Sequence, residues 1–194
     1  MKAVAARRPS HVESPHVAIN ISGHDLGKDD FVGTLEKIIV AGGHAPGSVT
    51  LELTETALVR SPSEAATRLH EARQSGFRVA VDDFGTGYSS LNYVRTLPID
   101  SLKVDRTFVQ SMADCKTTHS IVVSMLNLAK SLRLKTVGEG IETTEQRAIL
   151  QNLGCEFGQG YLFGRPLPLE QTLALMRTWR AATPVAAVTC APAA

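Results

Sequence analysis

RVAVDDFGTGYSSLNYVRTLPIDSLKVDRTFV, residues 78–109, contains two apolar strand-like runs, RVAVDDF (78–84) and SLKVDRTF (101–108). Between them lie a glycine loop and a short helical piece carrying Leu91 and Val94. Each run ends in ionisable side chains, Asp82 with Asp83 and Lys103 with Asp105. The same strand-then-helix unit recurs outward in both directions, with HVAINIS (16–22) and VTLELTE (49–55) before it and KTVGEGI (135–141) and FGQGYLF (157–163) after it. Most of these runs are rich in Val, Ile or Leu on both faces, as strands covered on two sides are.

The segments between the runs read as helices. Phe31, Leu35, Ile38 and Ile39 recur at one-face helical spacing before Gly42 and Gly43. Ser61, Pro62 and Glu64 read as N-cap, first-turn proline and capping-box glutamate of a helix closed by Gly76. Ile121, Met125, Leu128 and Leu132 form a third stripe, Thr144–Leu153 a fourth helix stopped by Gly154, and Pro168 opens a last helix that runs to about Arg180. The small, uncharged segment 181–194 reads as a disordered tail and residues 1–15 as a lead-in, which leaves 16–180 as the folded domain.

Alternating strands and helices imply a parallel sheet with right-handed crossovers. No GxGxxG follows the first strand, which disfavours a dinucleotide-binding open sheet. Every strand run instead ends in polar groups: Asn20, Glu52 with Glu55, Asp82 with Asp83, Lys103 with Asp105, Glu139 with Glu142, and Gln159. A (β/α) barrel gathers such strand ends on one rim, where active sites sit. The fold class expected is therefore α/β, a TIM-type (β/α)8 barrel. Only six βα units are visible, against eight strands and about 250 residues in a complete barrel, so the barrel reads as N-terminally truncated by about two units before His16.

Composition narrows the function. Twenty basic and nineteen acidic residues in a chain of 194 give a net charge of +1, which argues against a nucleic-acid polymer as partner. Three cysteines without CxxC spacing indicate a reducing compartment and no structural zinc. With no signal peptide and no run of about 18 apolar residues, a cytoplasmic protein without a membrane span is expected. The carboxylates Glu52, Asp82, Asp83, Glu139 and Glu142 would repel one another on one rim unless divalent cations with oxygen ligands compensated them. The side-chain carbonyls of Asn20 and Gln159 complete a hard-ligand set suited to Mg²⁺ or Mn²⁺. One carboxylate of Asp82–Asp83 could bridge two metals about 3.5–4 Å apart, an arrangement used to hydrolyse phosphate esters, and Lys103 could hold a phosphate oxygen or the attacking water. In FGTGYSS (84–90) the letters DFG occur without the other protein-kinase signatures, so Gly85 and Gly87 read as residues permitting positive φ in a tight turn, with Glu55 accepting backbone N–H bonds from the loop.

The strings VAINIS, LELTETAL, VAVDDFGTGYSSLNYVRTLPIDSLKVDRTFV, VGEGIET and QGYLFGRPLP, in order over about residues 16–180, resemble the EAL-domain family of cyclic di-GMP phosphodiesterases. The resemblance implies a modified (β/α)8 barrel with one antiparallel strand, and linearisation of cyclic di-GMP to pGpG with Mg²⁺ or Mn²⁺, two ions per complete site. It implies that Asn20, Glu52 and Asp82 are metal ligands and Asp83 a ligand of the second metal. Lys103 would position the nucleophilic water and phosphate, and Glu139 would be the general base. Glu142 and Gln159 would support the site, and Glu55 would hold the FGTGYSS loop, which the family uses in metal binding and dimer contact. The E-A-L signature, with its metal-binding glutamate and a nearby arginine that contacts substrate, is expected to be missing upstream of Asn20, and Gly138 stands where alanine is usual. Six strands leave two sheet edges, so a homodimer or a partner chain that completes the barrel is expected. A catalytically inactive EAL-like regulator acting by protein binding is the alternative function.

Overall fold

The computed structural model describes residues 16–60, 62–87 and 91–179. The expected lead-in, the tail and the Ser61 cap lie outside the described residues. The strands follow chain order in the sheet, β1-β2-β3-β4-β5-β6. The chain divides into two compact units, residues 1–103 and 104–194, with the division inside the fourth strand.

The first unit opens with β1 (Val17–Asn20), α1 (Gly23–Leu26) and α2 (Phe31–Ala41). It continues with β2 (Val49–Thr54), α3 (Glu55–Arg60), α4 (Pro62–Gln74), β3 (Arg78–Phe84) and α5 (Leu91–Thr96), and ends in β4 (Ser101–Val104). β1 pairs with β2 and β2 with β3, both parallel, with Asn20 opposite Glu52, Glu52 opposite Ala80 and Thr54 opposite Asp82. Leu51, Leu53, Val79 and Val81 are all but fully buried, and α4 covers the sheet with Leu69 and Ala72. A helix starts at Pro62 because proline's missing N–H costs nothing there, and the chain leaves it through Gly76 at φ 94°.

The second unit contains α6 (Arg106–Ser111), α7 (Lys116–Ser131), β5 (Lys135–Gly138), α8 (Thr144–Asn152), β6 (Phe157–Gly158) and α9 (Leu169–Trp179). β5 and β6 run parallel, Val137 opposite Phe157. Val109, Met112, Val122, Ala129, Ile141 and Leu150 form its core. α8 begins on a full capping box: the Thr143 hydroxyl accepts the Gln146 N–H while the Gln146 side chain accepts the Thr143 N–H.

All six expected strands and the α/β class are present, with parallel pairing between β1 and β2, β2 and β3, and β5 and β6. Several boundaries and faces differ from expectation. The run 101–108 stops at Val104, because the Asp105 carboxylate accepts the Thr107 N–H and starts a helix. The run 157–163 keeps only two strand residues, since Gly160 lies against the Ile141 backbone, 2.2 Å from where its own Cβ would sit, and the chain turns there. Glu55 opens α3 directly after β2. In α2 the buried face is Val32, Leu35 and Ile39, and Ile38 is 46% exposed. α7 likewise buries Val122, Met125, Leu126 and Ala129 and leaves Ile121 outside, one position round from the expected stripe. β1 is not covered on both faces: Val17 is 47% exposed. Among the described residues no helix is long and apolar enough to cross a membrane.

Candidate active site

The expected site residues fall in both units. In the first, alternation along β2 turns Leu51 and Leu53 to one face and Glu52 to the other. The β2–β3 register brings Glu52, Thr54, Ala80 and Asp82 onto one face of the sheet. Lys103 comes from β4, flanked by buried Leu102 and Val104, and its side chain is 4% exposed. Its ammonium lies 3.0 Å from Glu52 Oε2 and 3.0 Å from Asp82 Oδ1, so two carboxylates from different strands converge on one cation. Their side chains are 13% and 14% exposed, in surroundings where a charge without a counter-charge is costly.

Asp83 departs from strand geometry. Its φ of 52° is left-handed, a conformation that Asp tolerates better than most residues, and its N–H donates to Asp82 Oδ1 at 2.9 Å. Asp82 and Asp83 present carboxylate oxygens within 4.8 Å of one another, both side chains half-buried. The Asp83 carbonyl accepts the Thr86 N–H and hydroxyl, which closes a tight turn through Gly85 at φ 95°. Gly87 has no positive φ, contrary to expectation. Its role is close approach, since a Cβ there would meet the Glu55 carboxylate at 3.4 Å. Glu55 is buried and accepts the Gly85 N–H at 3.3 Å, the anchor expected for this loop. Asn20 ends β1, is exposed, and stands in register with Glu52.

In the second unit Glu139 follows β5 and its N–H donates to the Val104 carbonyl at 3.1 Å. Its carboxylate accepts from Gln159 Nε2 at 2.6 Å, so this acid and amide are brought together. Glu142 is exposed and accepts from Gln110 Nε2 at 3.2 Å, and its backbone N–H goes to the Gln146 side chain. Glycines flank Glu139. Gly140, at φ 64°, would place a Cβ 2.5 Å from Arg106 Cβ, and Gly138 would place one 2.5 Å from Leu150 Cδ1. Sequence reading grouped Asp105 with the strand-end acids and gave it no role. The structure makes it the buried N-cap of α6, a role that an Asp one residue before a helix signals.

The model of the EAL domain matches residues 1–166. The chain belongs to the EAL-domain family. The cyclic di-GMP phosphodiesterase NbdA of Pseudomonas aeruginosa is 39% identical over 168 residues, 87% of this chain and 22% of that protein. Among solved structures, the P. aeruginosa MucR phosphodiesterase in complex with cyclic di-GMP superposes with a TM-score of 0.76 at 36% identity, over 80% of this chain and 63% of that one. A manganese and cyclic di-GMP complex of Klebsiella pneumoniae BlrP1 gives 0.73 at 35% identity, over 77% of this chain and 38% of that one. This EAL chain thus spans about a fifth of NbdA, and the six strands of its described residues correspond to part of the barrel in these structures.

The residues of this EAL chain suit a divalent cation. Oxygen donors of Glu52 and Asp82 already converge on a positive charge, the Lys103 ammonium, and Asp83 presents a carboxylate oxygen within 4.8 Å of one of Asp82.

Proposed function

We propose that this EAL domain hydrolyses cyclic di-GMP to pGpG with Mg²⁺ or Mn²⁺, two ions in the complete site, held by Asn20, Glu52, Asp82 and Asp83. The observation that supports it best is the convergence of Glu52 and Asp82 on a cation at 3.0 Å, in a chain that belongs to a family whose relative NbdA bears the name cyclic di-GMP phosphodiesterase. When bound, the ions supply charge neutralisation and Lewis-acid activation. Glu139 takes the proton of the attacking water. A water-oxygen-to-phosphorus bond forms, the bond from phosphorus to the ribose 3′ oxygen breaks, and that oxygen ends protonated, leaving the 5′-phosphate of pGpG. Gln159, which donates to Glu139, sets the orientation of the base. Lys103 meets a phosphate oxygen, Glu142 is a supporting acid, and Glu55 keeps the loop after Asp83 in shape.

Completion of the barrel by a second copy or a partner chain belongs to the same reading, because among the described residues β1 is an edge strand, with Val17 47% exposed. Light scattering is expected to show association at micromolar concentration; a monomer of full activity would count against it. A soluble nucleotide substrate supports a cytoplasmic location for the domain.

The test of the function is chromatography of cyclic di-GMP incubated with the protein and Mn²⁺. The expected result is pGpG, with Glu139→Gln slowing turnover by about 10²–10⁴ while cyclic di-GMP still binds. Turnover of Glu139→Gln within threefold of the native rate would reject Glu139 as the base, and no pGpG from the native protein would reject the reaction.

A further inference from the structure

The metal reading leaves one feature unaccounted for. Two of the proposed ligands, Glu52 and Asp82, are each in an ion pair with Lys103 through one carboxylate oxygen. An oxygen-bound divalent ion sits about 2.0–2.6 Å from its donors. An ion on those same two oxygens would therefore lie within about 5 Å of an ammonium that stayed 3.0 Å from each. On the other oxygen of each carboxylate it would lie little further away. These three side chains are also largely withdrawn from water, with Lys103 4%, Glu52 13% and Asp82 14% exposed, so solvent screens like charges there only weakly.

Without Lys103 the metal-free protein would hold two carboxylates on neighbouring strands in a poorly solvated place. With it, one cation serves both, and one oxygen of each carboxylate is engaged by the ammonium. Lysine suits this role better than arginine. Its ammonium is a compact point charge on a flexible four-carbon stem, able to leave one set of oxygens and meet another without breaking a planar fork of hydrogen bonds.

We propose that Lys103 is the built-in counter-ion of the metal-free site, and that metal loading is an exchange in which a divalent ion takes Glu52 and Asp82 and drives the ammonium off them. The inference rests on the metal reading above and adds to it an order of events. The released ammonium becomes available to a phosphate oxygen only after the metal has arrived, so metal and phosphodiester favour each other's binding, with reciprocal coupling. Lys103 is thus a competitor of the metal before it is a partner of the substrate.

The experiment is Mn²⁺ titration calorimetry with thermal unfolding of the metal-free protein, on the native chain, Lys103→Met, Asp82→Asn, and a Glu52→Gln/Asp82→Asn/Lys103→Met triple variant. Lys103→Met is expected to bind Mn²⁺ at least tenfold more tightly than native. Its metal-free form should melt about 6 °C or more lower, because removing one partner of a buried pair strands the other charge. The triple variant, with all three of these charges removed together, should recover most of that loss. If Lys103→Met does not fold without metal, recovery in the triple variant and refolding on addition of Mn²⁺ carry the same expectation. A triple variant as unstable as the single one would show that the loss is packing, and would overturn the counter-ion role. Mn²⁺ binding that depends on Asp82 but is unchanged or weakened in Lys103→Met would overturn the exchange and leave the metal site standing. Equal affinity in native and Asp82→Asn would overturn the metal site, and the exchange with it.

Discussion

Replacing Gly140 by Ala should be among the most damaging single-methyl additions in the second unit, and replacing Gly138, two residues earlier, should be nearly silent. Both added Cβ atoms would come 2.5 Å from a carbon, so distance alone does not separate them. What differs is the neighbour. At Gly140 it is Arg106 Cβ, with Arg106 Cα at 3.3 Å, atoms fixed by the backbone at the first residue of α6, which cannot rotate away. Gly140 also has φ 64°, which costs a residue with a side chain about 1–2 kcal/mol. Overpacking adds about 1–3 kcal/mol, so the loss is about 2–5 kcal/mol. At Gly138 the neighbour is the terminal methyl of Leu150, which a side-chain rotation moves at about 0.5–1.5 kcal/mol. Against that stands about 0.4–1 kcal/mol gained from a stiffer unfolded chain. Urea unfolding reads the difference. With a slope of about 2 kcal/mol/M, Gly140→Ala should lower the midpoint by about 1–2.5 M at unchanged slope, and Gly138→Ala by less than about 0.5 M. A Gly138→Ala loss equal to that of Gly140→Ala, or a Gly140→Ala midpoint within 0.5 M of native, would refute the packing argument.

Glu55→Ala should release the loop after Asp83. The Gly85 amide, which now donates to the buried carboxylate at 3.3 Å, should exchange with solvent deuterium about tenfold faster or more, and unchanged protection would remove the anchor. Asp25 is held at about 2, below its ordinary 3.8, by hydrogen bonds from Lys28 and then Ser22. A carboxylate with a lowered folded value contributes stability that is present above about 4 and lost as the pH falls through about 2. The Asp25 carbon resonance should therefore titrate near 2, and Asp25→Asn should flatten the stability curve in that window; a midpoint near 4 would show the pair is absent in solution.

Much of the fold was legible because its signals are local. Short runs, most of them rich in Val, Ile or Leu, marked all six strands, and Gly42, Gly76 and Gly154 marked helix ends that the structure places within a residue or two. What stayed hidden depended on partners distant in sequence. Phe31 and Ile121 look like core residues by spacing, yet the next residues, Val32 and Val122, are the buried ones, because the neighbouring elements decide which of two adjacent apolar positions faces inward. The length of β6 was set by the approach of Gly160 to Ile141, nineteen residues away in sequence, and no propensity scale carries that. For the site, strand-end acids were readable one by one from their place at the ends of the apolar runs. That Lys103 would lie between Glu52 and Asp82 was not, since it follows from the side-chain geometry of three strands. The turn at Asp83 was visible through Gly85, whereas the left-handed Asp83 itself gave no signal beyond being an aspartate.

The central claim is that Glu52 and Asp82 hold a divalent ion for attack on a cyclic dinucleotide. An anomalous difference map collected at the manganese edge, from crystals grown with Mn²⁺ and cyclic di-GMP, tests it most directly. The account predicts a peak about 2.0–2.3 Å from a carboxylate oxygen of both Glu52 and Asp82, with the Lys103 ammonium moved off those oxygens toward a phosphate. A map with no peak at these residues, or a peak elsewhere with the two 3.0 Å ion pairs of Lys103 intact, would contradict it.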